Sequence, residues 1–155
     1  MRHIKKTFFA LVLGLIINNV SFAADKANAK EAKLMVENAL VHIKKVGVAQ
    51  AFKDFSNPSD KEWHDRDLYL FAYSLNGENL AHGTNSRLIN RNLIDLKTPD
   101  GIYLIKEMIN IAINKGDGWI DYDWPHPDSR KIERKSGYVK RIAGFNGFVG
   151  SGIYK

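Results

Sequence analysis

The residues of this 155-residue sequence whose types and spacing suit binding chemistry lie between Gly116 and Tyr138. Gly118–Trp124 reads as a strand, in which alternate side chains share a face, so Ile120, Tyr122 and Trp124 point one way and Trp119, Asp121 and Asp123 the other. Tyr122 and Trp124 can therefore wall one cavity, each offering an apolar ring and one hydrogen-bonding tip. Lys135 follows on the next strand. An ammonium in a dry aromatic cavity complements a small organic anion, because a charge-assisted hydrogen bond is about twice as strong as a neutral one. Tyr138 would add a further donor. Alternation sets Lys135 and Tyr138 on opposite faces, so both reach one pocket only if the strand is bulged, which Gly137 would permit. A plainer reading stands beside this one: Tyr122 and Trp124 fill a core, and Lys135, close to Lys131, Arg134, Lys140 and Arg141, belongs to a solvated basic face.

His82 has two readings as well. Either it donates to the same carboxylate and makes the pocket pH-sensitive, or it is satisfied by the backbone. Other chemistry-bearing clusters are weaker. His64 with Asp65 and Asp67, and His126 with Asp128, lack the helical His-x-x-x-His or paired-ligand spacing of a zinc site. Ser151 sits in Gly150-Ser151-Gly152 rather than a nucleophile elbow, and no acid/base pair accompanies it. The chain is therefore read as a binder and not an enzyme, with no metal and no cofactor.

The elements that must position these residues can be read from periodicity. Asp25–Val46 predicts a long helix burying Ala32, Met35, Val36, Ala39, Leu40, Ile43 and Val46. Gly47 interrupts it, and Val48–Phe55 predicts a short second helix with Ala51, Phe52 and Phe55 facing in. Leu68–Leu75 is an apolar, aromatic strand, Asn76-Gly77 a hairpin turn, and Glu78–His82 the return strand. Thr98-Pro99-Asp100-Gly101 predicts a helix start, followed by a buried stripe of Ile102, Ile105, Met108, Ile109, Ala112 and Ile113. Three strands complete the chain: Gly118–Trp124, about 131–143, and Phe148–Tyr154. Helices and strands are segregated, which predicts an α+β fold with a mostly antiparallel sheet.

The formal charge is +6, but three of those charges, Arg2, Lys5 and Lys6, lie in the first six residues. The +3 left for the remainder is ordinary and argues against a nucleic-acid partner. The basic start, the apolar run Phe8–Ile17 and Ser21-Phe22-Ala23 predict a signal peptide over 1–23, cleaved after Ala23, and hence a periplasmic or secreted domain over 24–155. A retained membrane anchor is the other reading, although about ten apolar residues are too few for a bilayer core that takes roughly 20 in a helix. The sequence has no cysteine, which removes disulfides and thiolate metal sites and leaves the apolar core to stabilise the fold.

Seven segments, in order, resemble a known family. They are Leu68-Tyr69-Leu70-Phe71-Ala72-Tyr73 with Asn76-Gly77, Leu80-Ala81-His82, Arg91-Asn92-Leu93, Asp95–Gly101, Gly118–Pro125, Lys135–Lys140 and Val149–Tyr154. Together they make the chain resemble a single Cache domain of type 2, the extracytoplasmic sensor module of bacterial chemoreceptors and sensor kinases. The resemblance implies a PAS-like antiparallel sheet with a long N-terminal helix along one side. It also implies a pocket for a short carboxylate of the acetate, propionate, lactate or pyruvate type. It adds Tyr73 and Arg91 to the candidate ligand-binding set of Tyr122, Trp124, Lys135, Tyr138 and His82. Gly83 and Asn90 depart from the family pattern, which usually has Pro and Gly there. The chain reaches Lys155 without a following membrane helix, so a free-standing sensor is expected, signalling through a membrane receptor, kinase or transporter. The alternative is an interaction module with a vestigial pocket that forms a homodimer through the N-terminal helix.

Overall fold

The computed structural model describes residues 26–155. The expected signal peptide over 1–23, with its cleavage after Ala23, lies outside the described residues. Helix α1 runs Ala29–Val46, shorter at its start than expected because Asn28 forms a capping box with Glu31: the Asn28 side chain accepts from the Glu31 N–H, and the Glu31 carboxylate accepts from the Asn28 N–H. Two orphan donors of the first turn are thereby satisfied. Gly47, at φ 83°, ends α1 and turns the chain into α2, Val48–Phe55.

The strands are β1 (His64–Asp65), β2 (Leu68–Tyr69), β3 (Phe71–Ser74), β4 (Asn79–His82), β5 (Asp117–Pro125), β6 (Ile132–Arg141) and β7 (Gly147–Tyr154), with α3 (Leu104–Asn114) before β5. β1 and β2 form a small ladder, and the other five make one antiparallel sheet in the order β4-β3-β7-β6-β5. The expected single strand over Leu68–Leu75 is thus split at Leu70, because β2 pairs with β1 while β3 pairs with β4 and β7. Gly77 takes φ 90° at the hairpin tip, as expected of Asn-Gly. Asn90, where the family pattern usually has Gly, adopts φ 64°, a left-handed conformation that Asn tolerates.

One expectation is corrected at α3. Thr98-Pro99-Asp100-Gly101 does not open the helix: Gly101 stands at φ 89°, its N–H donates to the Thr98 carbonyl, and the Ile102 N–H donates to Thr98 Oγ1. The Thr98 hydroxyl closes a turn, and the helix begins after it. From there Leu104, Ile105, Met108 and Ala112 are buried, whereas Ile113 is exposed.

Each sheet face carries its own core. On one, α1 and α2 pack against Leu70, Ala72, Ala81, Tyr138 and Val149. On the other, α3 covers Tyr69, Phe71, Tyr73, Tyr122, Val139, Phe148 and Tyr154. No helix among the described residues is long and apolar enough to cross a membrane.

Candidate ligand-binding site

Between the sheet and α3 lies a cavity of ≈ 10 Å³, about the room one water molecule takes. The sheet lines it with Tyr69, Phe71, Tyr73, His82, Tyr122 and Trp124, and α3 with Leu104, Ile105 and Met108. Alternation along β5 puts Tyr122 and Trp124 on this face, as expected, with their rings 6.0 Å apart and edge to face. Trp119 points to the opposite face, where its ring packs against Tyr138.

Lys135 is directly opposite Tyr122 in the β5–β6 ladder and directly opposite Tyr154 in the β6–β7 ladder, so the three side chains cross one face in a row. The ladder from Asp117↔Lys140 to Pro125↔Ile132 is unbroken. No bulge is present, and none is needed to bring Lys135 beside Tyr122. Gly137 matters for another reason: a Cβ there would stand 2.9 Å from Tyr122 Cε1 and 3.0 Å from its hydroxyl. Its missing side chain is the space the Tyr122 ring occupies. Gly152 does the same for the Lys135 stem, whose Cε would lie 3.0 Å from an added Cβ.

The Lys135 side chain is completely buried, 0% exposed. Its Nζ lies over the face of Tyr69, 3.8 Å from the ring centroid, and 4.6 Å from the Tyr154 centroid. It also donates to Tyr154 Oη at 3.5 Å. Among the described residues the lysines in ion pairs are Lys106, Lys140 and Lys155, and Lys135 is not one of them. Burial pushes its ammonium pKa down, against the opposing pull of Tyr69 and Asp67. Tyr69 Oη and Tyr154 Oη approach to 3.3 Å, and Tyr154 donates to the Pro125 carbonyl at 2.8 Å. Two aromatic faces and one hydroxyl thus stand where a carboxylate would normally meet a buried lysine. Tyr69 lines the cavity and also carries Nζ against its ring, whereas Lys135 itself does not line the cavity.

His82 is buried beside Tyr69, with ring centroids 5.2 Å apart. Its Nδ1 accepts from the Thr84 and Asn85 N–H groups at 3.3 and 3.1 Å. An imidazole that accepts at Nδ1 is neutral with its proton on Nε2. Desolvation, then the nearby Lys135 and His64, push its pKa down to about 3. Tyr73 is buried, stacks on Phe148 and lines the cavity, its hydroxyl pKa raised by burial.

Two expected residues are placed elsewhere. Tyr138 is on the α1 face, where its hydroxyl donates to Asp117 Oδ2 at 2.6 Å and Lys33 Nζ lies 5.4 Å from its ring. With no bulge at Gly137, alternation keeps it away from Lys135. Arg91 is exposed after the Ser86–Leu88 turn, and its carbonyl accepts from the Asn79 N–H. Conversely, Tyr69 and Tyr154 were not among the expected site residues. Alternation through Tyr69, Phe71 and Tyr73 would have marked the first. The second is set by cross-strand register, which the sequence does not display. Among the described residues no three His, Asp or Glu side chains converge as a metal site requires.

Known proteins resemble this chain in sequence and in fold. The chain is 33% identical over 91 residues to the sensor histidine kinase MctS of Rhizobium johnstonii, an alignment of 59% of this chain and 20% of that protein. It is 28% identical over 91 residues to the methyl-accepting chemotaxis protein McpP of Pseudomonas putida, with 59% and 17% covered. The chain therefore spans about a fifth of the length of these curated relatives. Its fold superposes on a Cache chemosensory domain solved for the structural basis of carboxylic acid recognition, with a TM-score of 0.69 at 22% identity, covering 81% of this chain and 91% of that one. A family model for the Cache domain matches residues 60–155, from the β1–β2 ladder through the last strand. With more than half of its length matched in this way, the chain belongs to the Cache domain family.

Proposed function

We propose that this domain is an extracytoplasmic sensor that binds a short carboxylate of the acetate, propionate, lactate or pyruvate type and signals through a membrane receptor, kinase or transporter. The observation that carries the reading is Lys135, a fully buried ammonium held by aromatic faces and one hydroxyl rather than by an acid. A buried charge outside any ion pair is costly, and an incoming carboxylate supplies a partner in direct contact. The ≈ 10 Å³ cavity is too small for even a two-carbon acid. Binding therefore turns Tyr69 aside, which enlarges the cavity and opens it to Nζ in the same movement. Tyr69 and Tyr154 act as placeholders for the anion, and the neutral His82 keeps an Nε2–H to donate. The sensor roles of the relatives and the carboxylic acid recognition described for a domain of the same fold agree with this reading.

Calorimetry with a series of two- to four-carbon carboxylates tests it. Binding should weaken in Lys135→Ala by about 1.5–3 kcal/mol, the worth of a hydrogen bond to a charged group. Unchanged affinity in that variant would remove the assignment.

A second reading concerns assembly. Leu34 and Val41, seven residues apart on α1, are 56% and 66% exposed, so apolar side chains remain beyond the stripe the core uses. They support a homodimer through α1. Light scattering after size exclusion should find a dimer that Leu34→Glu/Val41→Glu converts to monomer, and a monomer at every concentration would exclude it.

A further inference from the structure

Beside the inner cavity lies a depression of ≈ 400 Å³, and His82 and Trp124 line both. Its other walls come from two loops that carry Thr84, Ser86 and Arg87 on one side and His126 and Arg130 on the other, and no acidic residue lines it. Both guanidinium groups belong to exposed residues. Among the described residues the arginines in ion pairs are Arg66 and Arg134, not these two. His126 repeats the arrangement of His82: its Nδ1 accepts from the Asp128 and Ser129 N–H groups, which leaves Nε2–H as a donor. The outer space thus offers two guanidiniums, the His126 N–H and two hydroxyls, and it has a volume ordinary for a ligand site. The inner cavity, at ≈ 10 Å³, does not hold a whole ligand as it stands.

We propose that this vestibule is a second anion subsite and that the domain accepts a dicarboxylate, one carboxylate entering past Trp124 and His82 toward Lys135 and the other held by Arg87 and Arg130. The inference rests on the carboxylate reading of the inner site. Guanidinium groups bind carboxylates through paired parallel hydrogen bonds, and two of them facing one depression with no acid between them favour an anion over any neutral end group. A four-carbon diacid has its charges at opposite ends, which suits one cation on the inner side and two on the outer. A monocarboxylate of the same length would leave both arginines to water.

Calorimetry on the purified chain with acetate, butyrate and succinate tests this, using wild type, Lys135→Met and the double variant Arg87→Gln/Arg130→Asn. Asn is chosen at position 130 because Arg130 has φ 59°, and an unchanged unfolding midpoint serves as the control for folding. Succinate should bind about tenfold or more tightly than butyrate in wild type, a difference of about 1.4 kcal/mol. The double variant should erase that preference and leave acetate within about twofold of wild type, while Lys135→Met should weaken all three. Succinate no tighter than butyrate, or a double variant that weakens acetate as much as succinate, would overturn the subsite while leaving the inner site in place. Succinate binding that survives Lys135→Met would overturn the bridging arrangement. Silence toward all three acids would instead defeat the inner-site reading, and this inference with it.

Discussion

Tyr122 and Lys135 stand directly opposite one another on β5 and β6, and this pairing puts the aromatic wall and the buried cation on one face of the sheet. The cation forms no ion pair there, Asp67 acting on it only at a distance, so it lowers the stability of the empty domain. Lys135→Met, which keeps the stem and removes the charge, should raise the unfolding free energy of the ligand-free protein by about 1–4 kcal/mol while weakening carboxylate binding. Urea unfolding and calorimetry on the same variant would show the opposite signs; a variant less stable than wild type would mean the ammonium is satisfied as it stands.

Gly137 leaves the space the Tyr122 ring fills. Gly137→Ala should cost about 1–3 kcal/mol, the usual price of overpacking a core, and should weaken ligand binding because the ring it displaces lines the cavity. Denaturant unfolding with and without acetate separates the two effects. A variant of wild-type stability would show that the ring yields freely.

His82 makes the domain acid-sensitive. Its folded pKa is lowered to about 3 from 6.5, so between those values the unfolded chain binds more protons and stability rises with pH. Its contribution is complete above pH 6.5 and falls steadily as pH drops toward 3, by up to about 5 kcal/mol. In His82→Asn, whose Oδ1 can still accept from the loop N–H groups, the loss of unfolding free energy between pH 6.5 and 4 should be smaller than in wild type. Equal slopes for the two proteins would show that His82 is not the titrating group.

Tyr138 provides the control for the opposite face. Tyr138→Phe removes the hydrogen bond to Asp117 and should cost about 1 kcal/mol of stability with no change in carboxylate affinity. A tenfold loss of affinity would place its hydroxyl at the ligand after all.

The sequence by itself determined what depends on neighbours along the chain. Period-3.6 and period-2 patterns give α2 and the last three strands to within two residues and α1 with its start four residues early, Asn-Gly gives the hairpin, and alternation separates Tyr122 and Trp124 from Trp119. Order of motifs gives the family. Thr98–Gly101 was misleading because a Thr that closes a turn and a Thr that caps a helix use the same hydroxyl for the same kind of bond. The remaining features depend on register and on close approach, which appear only once the strands are assembled. Unbroken β5–β6 pairing puts Lys135 against Tyr122 and Tyr138 on the other side, and Gly137 serves ring packing where a bulge was the other option. The meeting of Lys135 with Tyr69 and Tyr154, 66 residues before it and 19 after it in the chain, follows from strand order, since β7 runs between β3 and β6. Long-range pairing of this kind leaves no local pattern, because each strand's alternation is satisfied by every register that keeps its apolar face inward.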